Sequence, residues 1–473
     1  MKENKLSTKV TIIISIVIVL LVLTIGITYA YFAAQGQTDV QTITTATIGL
    51  EFDDNNATIL ASDIIPVKTN KVLTDTKNVA HKNFKLKKVS NAEDTYAKIE
   101  LTELNIPTEL ADYDFKWMLY QGENKIATGD FGGKTSGNVV IATNQFVNST
   151  VGIDYDLYIW INETEVAQNE MQGKTFSVKI IASGTDIKQN TLSSVLLGEN
   201  NSNVITSAPT FTTTSTNRGL YVQQEDNTKS EMGFPTYYFR GSSTNTNEGY
   251  NPDYIMNNYV SFGTYQTGSN MGKPIIWRVV RINEDGTVRL ISENYINEAT
   301  PYNSLNVPRY INTDGADSEA KQKIETWYLN NIGNIQNLDS KVVKSTFCND
   351  IVSANTRARI VNSVAPSFVC SVTANKIYEK VGMLTGDELV YSGALYNKAV
   401  TNNTTYINNS SSFWTMTAYD NERTMIFNPS SLGIYRTGSN SGGNTLRAVI
   451  NLSADTIVTG GDGLNAETAY NIQ

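Results

Sequence analysis

The residue types that most often perform catalysis are scarce in this sequence. The 473-residue chain contains one histidine, His81, and two cysteines, Cys348 and Cys370. A single histidine excludes a multi-histidine metal site and argues against Ser-His-Asp or Cys-His catalysis. Two cysteines alone cannot hold a structural zinc ion or an iron–sulfur cluster. Since no complete phosphate-binding glycine loop occurs either, we predict a protein that is not an enzyme and needs no cofactor.

Carboxylates are the remaining groups that could perform chemistry. The chain has 46 acidic and 37 basic residues and a net charge of −9, which argues against nucleic acid as a partner because phosphate binding relies on clustered Lys and Arg. A carboxylate-based hydrolase stays open, since a sequence does not show which acidic side chains converge. One candidate group is Asp314, Asp317 and Glu319. These residues could bind calcium, or they could complement the dipole of the helix that follows. The sequence leaves the metal question open.

The N-terminal residues have the pattern of a targeting signal. Several lysines, the last of them Lys9, precede the uncharged apolar run Val10–Ile27. Such a run is long enough to span a membrane, and the lysines before it predict a cytoplasmic N-terminus. Thr28 and Ala30 also fit a signal-peptidase site. We therefore predict that residues 1–34 form a signal peptide or a membrane anchor, and that the rest is extracytoplasmic, either membrane-anchored or secreted.

This compartment gives the two cysteines a role. In an oxidising environment two lone cysteines usually pair. Cys348 and Cys370 lie too far apart in the sequence for a Cys-x-x-Cys redox motif, and reactive thiols are the weaker alternative. We predict a structural disulfide that stabilises the fold by about 3 kcal/mol.

The first half of the chain has the pattern of an antiparallel β-sandwich, which we assign to residues 35–187. In Asp154–Ile161 alternate residues are apolar, so that Tyr155, Leu157, Ile159 and Ile161 share one face. His81 lies in a polar stretch and is predicted to be a surface residue rather than a ligand. Further strand and turn signals are Phe115–Tyr120, Gln121–Asn124, Lys125–Phe131 and Thr175–Ala182.

Residues 188–219 have the Ser, Thr and Asn content of a linker, with Leu192–Leu197 as a short helix or docking strand. The remainder, residues 220–473, mixes hairpins with a few helices and predicts an α+β domain. Its clearest signals are a hairpin turn at Asn283–Gly286, a helix within Ser318–Ile332 and a helix that begins with the capping box Thr385–Glu388.

Two segments carry family resemblances, and the first is N-terminal. The junction Gly26–Phe32, followed by Thr45–Leu50, resembles the start of TasA/camelysin-like exported surface proteins. The resemblance covers residues 20–185 and implies a jelly-roll-like sandwich, export and, in some members, assembly into biofilm fibres. The peptidase activity of camelysin is not implied, because the segment contains no matching zinc-ligand motif.

The second resemblance lies in the α+β part. Its pieces, in order, look like bacterial surface domains of the formylglycine-generating-enzyme and C-type lectin-like fold, which implies a ligand-binding or adhesive module. The copper-binding cysteine pair and the Glu-Pro-Asn and Trp-Asn-Asp motifs are missing, so neither oxidase activity nor calcium-dependent sugar binding is implied. The pieces are Trp277–Ile282, Val288–Ile291, Thr326–Asn330, Gly386–Leu389, Phe413–Thr417 and Leu446–Leu452.

On a lectin-like scaffold, loops on a rigid core usually carry the binding site. By this analogy we predict a bacterial cell-surface or secreted protein, adhesin-like, that binds an extracellular glycan or protein through Tyr419, Asp420, Arg423, Tyr435 and Arg436. One alternative is a matrix-fibre subunit that self-assembles through the edges of its sandwich. Another is a diversified receptor, because Ser410–Asn444 is rich in Asn, Ser, Thr and Tyr.

Overall fold

Among the residues that the structure describes, strands hold 42% and helices 12%, so this part of the protein is mostly β-sheet. The structure is a computed structural model that describes residues 43–44, 48–52, 56–164, 166–200, 204–212, 218–223, 235–241, 256–296, 299–349, 354–370, 375–398, 405–407, 411–428 and 433–472. The apolar run Val10–Ile27 lies outside these residues. Within them, no helix combines the length and the apolar character that a membrane crossing requires.

Two antiparallel sheets pack around one core in the first part of the chain and form the predicted β-sandwich. The six-stranded sheet has the order β1-β2-β4-β9-β6-β7 and the four-stranded sheet the order β3-β10-β5-β8. The strands are β1 (Ile43–Thr44), β2 (Ile48–Phe52), β3 (Thr58–Ala61), β4 (Ala80–Lys88), β5 (Thr95–Asn105), β6 (Phe115–Gln121), β7 (Asn124–Asp130), β8 (Val139–Val147), β9 (Ile153–Ile161) and β10 (Phe176–Thr185).

The alternation read from the sequence decides which side of each strand enters this core. In β9 the side chains of Tyr155, Leu157, Ile159 and Ile161 are fully buried, as predicted. The strands β6 and β7 pair up to Gln121 and Asn124, which leaves a two-residue turn between them. Gly122 in that turn has φ +57°, a conformation that glycine adopts without steric cost.

The second part of the chain contains a nine-stranded sheet and two small ones. The main sheet runs β18-β22-β15-β14-β13-β24-β23, with β12 pairing with β14 and β11 with β12, while β16 pairs with β17 and β19, β20 and β21 form a three-stranded sheet. The bounds are β11 (Gly219–Gln223), β12 (Thr236–Arg240), β13 (Tyr259–Thr264), β14 (Pro274–Ile282), β15 (Val288–Ser292), β16 (Ser345–Asn349), β17 (Asn375–Glu379), β18 (Val381–Gly382), β19 (Phe413–Ala418), β20 (Arg423–Asn428), β21 (Gly433–Gly438), β22 (Val449–Leu452), β23 (Val458–Gly460) and β24 (Tyr470–Ile472).

Short helices connect these sheets. The helix α2 begins after Ser318, whose hydroxyl accepts a hydrogen bond from the backbone N–H of Lys321, and α5 begins with the predicted capping box of Thr385 and Glu388. Both predicted helix starts are confirmed. The helices are α1 (Leu192–Asn200), α2 (Glu319–Tyr328), α3 (Gln336–Asp339), α4 (Ala354–Val361) and α5 (Gly386–Ser392); a 3₁₀ turn covers Thr69–Lys71 and a π-helical turn Leu329–Gly333.

The stretch between the two predicted domains takes part in the second core. Leu192 and Leu196 of α1 are buried in that core, and the backbone N–H of Leu192 donates a hydrogen bond to the carbonyl of Thr456. The segment assigned to a linker therefore contains a packed helix. The apolar spacing within Leu192–Leu197 was the signal for it.

The two cores contact each other through the two-stranded sheet of β16 and β17. The hydroxyl of Tyr378 donates a hydrogen bond to Asp112 Oδ2 at 2.8 Å and accepts one from the backbone N–H of Tyr113 at 2.9 Å. A separate ion pair joins Lys98 of β5 to Asp455, with 3.1 Å between Nζ and Oδ2. These contacts place the sandwich against the second part of the chain.

Candidate functional site

The three-stranded sheet β19–β20–β21 carries the predicted binding residues. Tyr419 directly follows β19, Arg423 begins β20, and Tyr435 and Arg436 lie in β21 opposite Ile426 and Met425. All six residues of β19 are buried. The sheet is therefore anchored in the second core, while the residues just beyond its buried part are half-exposed.

A tight turn sets the position of Arg423. The carboxylate of Asp420 accepts hydrogen bonds from the backbone N–H groups of Glu422 and Arg423, at 3.1 and 2.9 Å. This is an Asx-type turn, in which a short acidic side chain replaces a backbone acceptor. The second carboxylate oxygen lies 2.6 Å from Arg423 Nε. The hydrogen bonds of Asp420 therefore fix both the shape of this turn and the position of the Arg423 side chain.

The structure brings all five predicted residues into one group, which we call the Tyr–Arg cluster: Tyr396, Tyr419, Tyr435, Arg357, Arg423, Arg436 and Asp420. Tyr419 lies at its centre. Three guanidinium groups approach this ring, Arg436 at 4.6 Å, Arg423 at 5.2 Å and Arg357 at 5.6 Å from the ring centre. Each contact has the geometry of a cation–π interaction.

Two tyrosine hydroxyls hold Arg436. Its Nη1 donates hydrogen bonds to Tyr419 Oη at 2.7 Å and to Tyr396 Oη at 3.0 Å. The rings of Tyr396 and Tyr419 lie nearly parallel, with an angle of 7° between their planes. The hydrogen bond to Tyr396 raises the pKa of Arg436 above its ordinary value. The guanidinium is thus charged and fixed in orientation before any ligand arrives.

The cluster has a surplus of positive charge. Asp420 is ion-paired with Arg423; burial alone would raise the pKa of Asp420, but hydrogen bonds from Arg423 and two backbone N–H groups lower it. Among the residues that the structure describes, no carboxylate lies within ion-pair distance of Arg357 or Arg436. The cluster therefore carries three arginines against one aspartate, on a chain whose net charge is −9.

Two members of the cluster were not predicted. Arg357 lies in α4 and donates from Nη1 to the carbonyl of Tyr419 at 3.4 Å, and Tyr396 follows α5 and packs beside β21. No local pattern marks either residue, because both reach the cluster only through tertiary packing. Residues 429–432 of the predicted loop lie outside the part of the chain that the structure describes.

The remaining candidates have local partners. His81 is exposed, stacks on Tyr158 at 4.5 Å and lies 2.7 Å from Asp156, so it is a surface residue as predicted. Asp314 accepts a hydrogen bond from the backbone of Ala316, and Glu319 from the backbone of Ser304. Across the described ranges, no three His, Cys, Asp or Glu side chains are grouped as metal ligands.

The predicted disulfide is confirmed. Cys348 in β16 is bonded to Cys370, which follows α4. The bond crosslinks β16 to the segment after α4, within the connection that leads from β16 to β17.

No protein-family model matches this chain, and no curated protein is significantly similar to it.

Proposed function

We propose that this protein binds an extracellular ligand that presents carboxylate or sulfate groups, through the Tyr–Arg cluster. The observation that carries the proposal is the guanidinium of Arg436, held by two tyrosine hydroxyls and without a carboxylate partner in the described structure. An arginine fixed in this way offers its remaining N–H groups as a planar fork. Carboxylate and sulfate oxygens match that fork and form charge-assisted hydrogen bonds with it.

The composition of the cluster supports a binding role. Tyrosine and arginine are enriched among the residues that dominate the energy of protein interfaces. The cluster is half-exposed, so a ligand can reach it without opening the core. A local positive charge on an acidic protein also favours the approach of an anionic ligand over a neutral one.

The setting that we propose is a bacterial cell surface. The C-terminal part would be a lectin-like binding module, and the sandwich would serve as its stalk behind an N-terminal anchor or cleaved signal. The Cys348–Cys370 disulfide supports an oxidising compartment. The N-terminal lysines and the apolar run after them support export.

A glycan array tests the proposal directly. The full-length chain is applied to uronate-bearing, sulfated and neutral glycans, in parallel with Arg436→Gln and with Lys188→Gln, which removes one exposed positive charge just after the last strand of the sandwich. We expect acidic glycans to be retained by the wild type and by Lys188→Gln, and about tenfold weaker binding for Arg436→Gln. Equal binding of neutral glycans, or wild-type binding by Arg436→Gln, would contradict the proposal.

The same preparation separates this function from the structural alternative. Electron microscopy of the purified chain without ligand should show dispersed particles. Filaments that form without ligand would favour a fibre subunit instead.

A further inference from the structure

A second cationic site lies between the two parts of the chain. An interdomain cavity of about 140 Å³, partly open to solvent, is lined by the end of β7 on the sandwich side, and by the β14–β15 hairpin, β16 and α5 on the other. Asp130 and Lys134 line it from the sandwich, and Arg281, Arg289, Thr346 and Glu388 from the second part. It is separate from the Tyr–Arg cluster and shares no residue with it.

Two arginines in this cavity compete for one carboxylate. Arg281 and Arg289 are direct cross-strand neighbours in β14 and β15. Glu388 Oε1 lies 2.6 Å from Arg289 Nε but 3.6 Å from Arg281 Nη2. Like charges at directly opposite positions of a sheet repel each other. One glutamate therefore neutralises Arg289 and leaves Arg281 with a distant partner.

The side chain of Arg281 is short of hydrogen-bond acceptors. It is 12% exposed and lies over the ring of Phe368, 4.5 Å from the ring centre. Its Nε is buried without an acceptor, and in the described part of the chain its guanidinium donates no hydrogen bond. The hydroxyl of Thr346, another wall residue, is also buried without a partner. A nearly buried guanidinium without acceptors is costly, so an acceptor that enters the cavity would relieve that cost.

Several other charged groups of the walls have partners of their own. Arg359 forms a two-pronged ion pair with Asp387, at 2.7 and 2.6 Å, and Lys134 lies 3.6 Å from Asp130. Asp285 accepts hydrogen bonds from the backbone and the hydroxyl of Thr287 within the β14–β15 turn, where Glu284 also borders the cavity. Arg281 is the nearly buried wall arginine whose carboxylate partner is distant. Two lysines also line the cavity: Lys376 lies 3.6 Å from Asp114, and the exposed Lys344 adds a further positive charge.

We propose that the interdomain cavity binds a small oxyanion, with Arg281 as its main ligand-binding residue. A cavity of this volume suits a tetrahedral anion such as phosphate or sulfate, or a carboxylic acid of about six non-hydrogen atoms. The oxyanion accepts hydrogen bonds from the guanidinium of Arg281 and supplies the negative charge that the two arginines share. Because the walls come from both parts of the chain, a bound anion also strengthens the contact between the sandwich and the second part.

Thermal unfolding and titration calorimetry of the full-length chain test this site. Phosphate, sulfate, acetate and lactate are each added at constant ionic strength, with chloride as the reference salt. We expect at least one of these anions to raise the midpoint of unfolding of the wild type above the chloride value. Lys188→Gln, which removes an exposed positive charge outside both sites, should respond like the wild type, whereas Arg281→Gln should lose the response.

Arg281→Lys and Thr346→Val are measured as well, so that the test does not depend on the folding of Arg281→Gln. Both keep the positive charge of the cavity, and both should fold while binding the anion about tenfold more weakly. A response to phosphate or sulfate alone would assign a tetrahedral anion, and a response to acetate or lactate alone a carboxylate. The proposal is overturned if no anion exceeds chloride for the wild type, or if Arg281→Gln responds as the wild type does. Neither result bears on glycan binding by the Tyr–Arg cluster.

Discussion

Arg436 contacts Tyr419 in two ways at once. Its guanidinium carbon lies 4.6 Å from the centre of the Tyr419 ring, and its Nη1 donates a 2.7 Å hydrogen bond to the Tyr419 hydroxyl. The ring supplies the cation–π contact and the hydroxyl the hydrogen bond, and the two contributions can be separated by mutation. Both restrict the rotamers of a side chain that would otherwise lose much entropy on binding a ligand.

Tyr419→Phe removes the hydroxyl and keeps the ring. We expect it to weaken binding of an acidic glycan by several-fold, in line with about 1 kcal/mol for one hydrogen bond. Tyr419→Ala should weaken binding more, because the ring contacts with three arginines are lost as well. The measurement is the Kd for one acidic glycan, with circular dichroism as a control for folding. Equal affinities for wild type and Tyr419→Phe would show that the hydroxyl does not position Arg436.

Replacing both cysteines, Cys348→Ser with Cys370→Ser, should lower the stability of the second part of the chain by about 3 kcal/mol. The loss arises because the unfolded chain is no longer cross-linked. Denaturant unfolding of the full-length protein measures it. Reducing agent should bring the wild type to the midpoint of the variant and leave the variant unchanged. An unchanged wild-type midpoint under reducing conditions would contradict the prediction.

Tyr378→Phe should loosen the contact between the two cores. It removes the hydrogen bond to Asp112 and the acceptor for the backbone N–H of Tyr113, and a hydrogen bond to a charged group contributes about 1.5–3 kcal/mol. Amide hydrogen exchange at Tyr113 should become faster. Tyr328→Phe is the matched control, because it removes a 2.8 Å hydrogen bond to Asp339 within the second core. Unchanged exchange at Tyr113 in Tyr378→Phe would count against this role.

The Lys98–Asp455 ion pair should make the contact sensitive to acid. Burial acts to raise the pKa of Asp455, but the hydroxyl of Ser453 and the charge of Lys98 outweigh it, so that the pKa lies below its ordinary value. A lowered folded-state pKa gives stability that is present above the unfolded pKa of about 3.9 and disappears as the pH falls through the folded value.

Asp455→Asn should therefore be less stable than the wild type at pH 7, and the difference should shrink as the pH is lowered below about 4. Thermal unfolding at several pH values measures this difference. Asp186→Asn, which removes an exposed carboxylate, is the control and should follow the wild-type profile. A difference between Asp455→Asn and wild type that stays constant with pH would contradict the assignment.

The features that sequence predicted well are local ones. The capping box of Thr385 and Glu388 and the turn at Asn283–Gly286 each depend on four consecutive residues, and both are present. The buried face of β9 follows from simple alternation. In each case the deciding interactions lie within a few residues of one another, so the sequence contains them in full.

The features that sequence missed depend on distant residues. Glu388 was predicted only as part of a helix cap, yet it also pairs with Arg289, which is 99 residues earlier in the chain. Arg357 and Tyr396 join the predicted binding residues only when α4 packs near Tyr419 and the segment after α5 pairs with β21. Residue types show which groups can pair, but only the packing of the core decides which of them meet.

The contact at Tyr378 has a mechanical consequence. Gly132 and Gly133 lie so close to the side chain of Tyr378 that a Cβ added to Gly132 would come within 2.6 Å of its ring, and one added to Gly133 within 2.5 Å of its Cβ. The tyrosine is thus enclosed by the sandwich loop as well as hydrogen-bonded to it. A force that pulls the two cores apart would have to remove the Tyr378 ring from its packing against the sandwich and break the Lys98–Asp455 ion pair in the same step. Under tension the sandwich and the second part of the chain would therefore move as one rigid unit rather than as two units joined by a flexible linker.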